Sequence, residues 1–178
     1  MIAHDQINPP KGIGQRILYV DFDGVLHHEN CLWHPKRGPY LVAPPGHTLF
    51  QHAQLLADML RPYPDLKIVL STSWVRSYGC DKAAKRLPIE LSSRVIGATW
   101  HSTFKPMENE WISRPRGMQV WGDVVRRIPA AWLAIDDDYL SWPTWALENY
   151  VRTDEVLGIS HPDVKALLAR KLEEMFAC

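Results

Sequence analysis

Apolar positions along this chain fall into two rhythms, short unbroken runs and longer stretches with helical spacing. The runs lie at about 16–21, 67–71, 95–99, 132–135 and, more briefly, 150–152. Short apolar runs bounded by polar or turn residues are expected as buried strands. Between them, Leu49, Phe50, Leu55, Leu56, Met59 and Leu60 recur at helical spacing over about 47–61, and Pro62 and Pro64 end that helix. Helical material is expected over 79–93 with a break at Pro88, and a further helix over 117–128. A short helix or turn fits 141–148. A last helix runs from Ser160 as N-cap and Asp163 as N3 to about Phe176. Residues 24–46 read as an irregular loop or small hairpin, and residues 100–116 as a long loop. Strands alternating with helices predict right-handed crossovers and a central parallel sheet, an α/β three-layer sandwich.

Composition narrows the picture only modestly. The chain has 178 residues, enough for one domain with a full core. Residues 1–15 are polar and Pro/Gly-rich and read as a lead-in, leaving 16–178 as a single domain. The formal net charge is zero, so overall charge argues for neither a nucleic-acid nor a membrane partner. No 18-residue apolar span is present, and the N-terminus lacks the regions of a signal peptide. Cys31, Cys80 and Cys178 are odd in number and scattered, without metal spacing or a disulfide framework, which fits a reducing cytoplasm.

Chemistry gathers where three of the apolar runs end. The first ends in Asp21-Phe22-Asp23-Gly24, the second in Ser71-Thr72-Ser73, and the fourth in Asp136-Asp137-Asp138. Asp21 and Asp23 stand two apart on an extended chain and project to one side. Such carboxylates repel unless a cation lies between them, and hard oxygens suit Mg²⁺. A calcium loop fits poorly, because counting from Asp21 the glycine comes fourth and the twelfth residue is Leu32. Parallel sheets bind ligands at the carboxyl ends of their strands, so all three clusters belong to one edge.

In that order the motifs resemble the haloacid dehalogenase (HAD) superfamily of phosphohydrolases. The Ser-Thr-Ser-Trp and Asp-Asp-Asp variants are most similar to the small HAD domains associated with RNA-repair proteins. The resemblance covers roughly residues 16–155. It implies a Rossmannoid fold and a Mg²⁺-dependent phosphatase that works through an aspartyl-phosphate. Asp21 would be the nucleophile. Asp23 would be the general acid and base, with its carbonyl on the metal. Asp136 and Asp137 would complete the metal site. Thr72 or Ser71, with Ser73 beside them, would hold phosphoryl oxygens. The basic residue that assists them would be Arg116, Arg114 or Lys105.

Neither gap that carries a cap domain in larger HAD enzymes, here 24–46 and 100–116, is long enough to fold independently. The site is therefore expected to be open, as suits a bulky phosphorylated substrate such as a nucleotide or nucleic-acid end. His27, His28 and His34 lack zinc spacing and read as solvated loop residues. Trp74, Trp100 and Trp111 read as core. A phosphoacceptor receiver domain would place its acidic pair first and its basic residue last, unlike this chain. A silent binding module is the remaining alternative.

Overall fold

The structure, a computed structural model, describes residues 9–140 and 142–177. Residues 1–8 of the expected lead-in lie outside the described residues, as does the start of the expected 141–148 element. Five strands, β1 (Arg16–Val20), β4 (Lys67–Leu70), β5 (Val95–Ala98), β6 (Ala131–Asp136) and β7 (Tyr150–Arg152), form one sheet. Its order is β5-β4-β1-β6-β7. Every neighbouring pair is parallel. The expected α/β three-layer sandwich is the fold.

Alternation along β1 divides the core in two. Leu18 and Val20 pack with α1 (Ala53–Leu60), with α7 (Pro162–Phe176) and with the helices that follow β4. Ile17 and Tyr19 face the other way, onto Val120 and Val124 of α6 (Arg116–Arg127) and onto Trp142 and Ala146. Period-two side chains on a strand covered on both faces require this division.

Several element boundaries differ from the periodicity reading. The helix expected from residue 47 begins only at Ala53, because Phe50 takes a positive φ of 58° and residues 49–52 are turns. Helix starts directly after the hydroxyl cluster, with α2 (Trp74–Tyr78). Gly79, at φ 82°, separates α2 from α3 (Cys80–Ala84), and α4 (Ile89–Ser92) follows Pro88. The long loop 100–116 instead contains a 3-10 segment, Ser102–Met107, and α5 (Glu108–Ser113). The N-cap of α7 is His161, not Ser160. His161 Nδ1 accepts from the Asp163 N–H at 3.3 Å, while Ser160 Oγ donates back to the Leu157 carbonyl. Pro at N1 fixes the helix start one residue later than expected. Residues 24–46 contain a hairpin of β2 (Cys31–His34) and β3 (Gly38–Leu41).

The sheet order decides where the chemistry falls. β1 lies between β4 and β6, with Val20 opposite both Leu70 and Ile135. The next residues in register are Asp21, Ser71 and Asp136. Backbone bonds from Ser71 N to Val20 O and from Asp21 N to Ile135 O hold that row.

Candidate active site

Asp21, Asp136 and Asp137 bring carboxylate oxygens within 4.8 Å of one another. Asp21 and Asp136 are buried and Asp137 is partly buried. Asp21 Oδ1 accepts the Phe22 N–H at 2.7 Å. Its other oxygen faces Arg116 Nη2 at 3.3 Å, and Arg116 Nε lies 3.4 Å from Asp136 Oδ2. Arg116 is therefore the base that the fold brings to the acids. Arg114, two residues earlier at the end of α5, has an exposed side chain and lines an adjoining hollow; Lys105 is exposed on the 3-10 segment.

Three carboxylates and one guanidinium leave two negative charges in a desolvated place. Burial, then the charge of Asp21, pushes Asp137 up to about 7. Asp136 is raised well above the carboxylate range, first by burial and then by Asp21. Burial also raises Asp21, with Arg116 opposing it and Asp23 adding to it. Burial works against the charge of Arg116, yet Asp21 and Asp136 together hold its titration above the ordinary arginine value. Among the described residues, Asp136 Oδ2 is buried with no hydrogen-bond donor. Hard oxygen donors, a buried carboxylate oxygen that accepts no hydrogen bond and a deficit of two positive charges fit a divalent cation such as Mg²⁺.

Gly24 makes this arrangement possible. It takes φ 66°, and a Cβ there would overlap the Asp137 carboxylate. Thr153, just past β7, donates from Oγ1 to the Gly24 carbonyl at 2.7 Å, and its N–H bonds the Asp136 carbonyl at 3.0 Å. Thr153 thereby ties the first motif to the fourth. Its only sequence signal is its position after a strand end.

The hydroxyl cluster separates by role. Thr72 is buried and bonds the Asp21 carboxylate, which lowers the titration of that acid. Ser71 Oγ is buried without a partner among the described residues. Ser73 is exposed at the start of α2, between the two hollows that flank the site.

Asp23 is turned to a different set of neighbours from the three clustered acids. Trp74 Nε1 donates to both its oxygens, at 3.0 and 3.1 Å. His27 Nε2 lies 2.9 Å from Oδ1. His27 is fully buried, and its Nδ1 accepts the Phe50 N–H at 3.3 Å. Since one ring nitrogen accepts, the other carries the proton, so His27 donates to Asp23. The solvated reading of His27 is thus corrected, and that of His28 with it, since His28 is also buried. His34 is exposed as expected. Trp74 packs on Phe22 and Phe50, which matches the core reading, and its indole N–H also serves Asp23. The i, i+4 spacing from Asp23 to His27 is the available sequence signal.

Asp23, His27 and Cys31 also lie close enough to be considered as metal ligands. Their chemistry fits poorly, because both Asp23 oxygens already accept N–H groups. Burial and then the charge of Asp23 push the Cys31 thiol up to about 12.

A profile of the HAD domain in Swiss Army Knife RNA repair proteins matches residues 17–164. The chain belongs to that family. It is accordingly a HAD-type phosphohydrolase domain, and the match spans all three acidic and hydroxylic strand ends. No curated protein and no solved structure matches the chain.

Proposed function

We propose that this domain hydrolyses a phosphomonoester through an aspartyl-phosphate on Asp21, with Mg²⁺ as its ion, and that it acts on a nucleic-acid end or nucleotide. The observation that carries the reading is the separation of two carboxylates two residues apart. Asp21 lies with Arg116, Thr72 and the acids of the fourth motif, whereas Asp23 is held by two N–H donors outside that cluster. One carboxylate is thus set for attack and the other for proton transfer.

Asp21 attacks phosphorus, an Asp21 O–P bond forms, and the P–O bond to the alcohol breaks. Asp23 gives its proton to the departing oxygen, then takes one from the water that opens the acyl phosphate. The products are the free alcohol and inorganic phosphate. Asp21, Asp136 and Asp137 would hold a divalent ion, which when bound would supply the positive charge that lets two anions meet. Arg116, Thr72 and Ser73 bind phosphoryl oxygens and stabilise charge as it develops. The family description supports a nucleic-acid end as substrate, and the absence of a cap among the described residues supports a bulky one.

The test is turnover on phosphorylated RNA and DNA ends, nucleotides, sugar phosphates and a phosphopeptide, with Mg²⁺ and with chelator. Hydrolysis lost in Asp21→Asn and in chelator is expected. Retained turnover in Asp21→Asn would overturn the mechanism.

A further inference from the structure

Two hollows meet at Ser73, and their linings are opposite in character. One, of about 310 Å³, gathers Arg76, Arg114 and Arg116, with Asp138 also on its wall. The other, of about 90 Å³, is closed by Leu32, Trp33 and Pro39 of the hairpin and by Trp74 and Tyr78 of α2. Among the described residues, Asp23 is the only charged side chain lining this second hollow. Trp33 is 59% exposed and Leu32 50% exposed, on a strand whose outer face nothing in the described chain covers. Large apolar side chains left bare beside a reacting centre mark a ligand contact.

We propose that the hairpin hollow receives the base of a nucleoside leaving group, with Trp33 as the residue that selects it. This rests on the phosphohydrolase reading above. Asp23 protonates the departing oxygen, so the alcohol released from phosphorus must lie on the side of Asp23 that borders the hairpin. An aromatic-walled space whose one charged lining side chain among the described residues is the carboxylate Asp23 takes a flat uncharged ring and rejects a second anion. Tyr78 and Trp74 form a firm inner wall, since the Arg86 guanidinium stacks on both rings at 4.9 and 5.2 Å. Trp33 lines the same hollow from the hairpin. Across Ser73, Arg114 and Arg76, the latter ion-paired to Glu108 at 3.4 Å, extend the basic side beyond Arg116, which suits the further phosphates of a nucleotide strand. A phosphotyrosine side chain also carries a flat ring but brings no second phosphate, so the charge division favours the nucleotide.

The experiment compares wild type, Trp33→Ala and Trp33→Phe on adenosine 3′- and 5′-monophosphate, glycerol phosphate and a phosphotyrosine peptide. The ratio of kcat/KM for the better adenosine phosphate to that for glycerol phosphate should fall about tenfold in Trp33→Ala, mainly through KM, as expected for a lost base stack. Trp33→Phe should restore most of it. In parallel, calorimetry should show adenosine monophosphate binding about tenfold more weakly to Trp33→Ala than to wild type. Unchanged ratio and unchanged affinity would overturn the proposal, as would a loss confined to the peptide. Failure of the phosphohydrolase reading looks different, because wild type would then not hydrolyse glycerol phosphate while the binding comparison still reports on the hollow.

Discussion

Replacing Asp137 with Asn tests the acidic cluster without any need for turnover. Burial and the neighbouring Asp21 raise the Asp137 titration from 3.8 to about 7. A carboxyl raised in the folded state binds its proton more tightly there than in the unfolded chain. Its contribution therefore favours folding at low pH and is lost as pH rises from about 4 through about 7. A shift of about three units corresponds to at most about 4 kcal/mol. Asp137 is only partly buried, so solvent screening reduces the effect to about 1–2 kcal/mol. Asn keeps the shape beside Gly24 and cannot ionise. Without metal, Asp137→Asn should unfold about 3–6 °C above wild type at pH 7.5 and together with wild type near pH 4. Added Mg²⁺ should raise the wild-type midpoint more than that of the variant, because the ion stabilises the state that binds it. Thermal unfolding from pH 4 to 8, with chelator and with Mg²⁺, reads all three effects. A variant less stable than wild type in chelator at pH 7.5, with a parallel pH profile, would refute the reasoning.

The other predictions concern single contacts. Arg116→Ala should lower kcat/KM about 10²–10³-fold on a phosphomonoester, whereas Arg114→Ala should cost less than about tenfold; steady-state kinetics on both variants separates them. Trp74→Phe keeps the ring against Phe22 and Phe50 but removes the N–H that both Asp23 oxygens accept. It should lower kcat about tenfold with little change in KM, since Asp23 loses the donor that orients it, and steady-state kinetics reads both. Away from the site, Asp123 holds the buried Arg127 guanidinium at 2.6 Å and accepts from the Tyr19 hydroxyl at 3.1 Å. Asp123→Asn leaves that cation without its counter-charge and should cost about 3–5 kcal/mol by denaturant unfolding, and a loss below about 1 kcal/mol would contradict this role for the α6 anchor.

Strand ends are legible in this sequence because apolar runs stop abruptly at residues that no core tolerates. Those breaks alone place Asp21, Thr72 and Asp136 on one edge, and the parallel register sets the strand ends that carry them in one row. They do not choose Arg116 over Arg114 or Lys105. That choice depends on α5 ending at Ser113 and α6 starting at Arg116, and α5 lies in a stretch without clear periodicity. Helix starts are the weakest readings. Residues 47–52 carry helical spacing but form no helix, since the Phe50 N–H bonds His27 and the His52 N–H bonds the Leu26 carbonyl. Tertiary bonds to the first motif override local pattern there. The same bonds hide His27: two adjacent histidines in a polar loop look solvated until a neighbouring segment closes over them.

The mechanism requires Asp21 to accept phosphorus beside a divalent ion shared with Asp136 and Asp137. A crystal structure of the protein grown with Mg²⁺ and beryllium fluoride shows whether it does. Beryllium should bond to Asp21, with fluorines near Thr72 and Arg116 and the ion among the three carboxylates. An ion seated instead on Asp23, His27 and Cys31, or beryllium on any other side chain, would be incompatible with that chemistry.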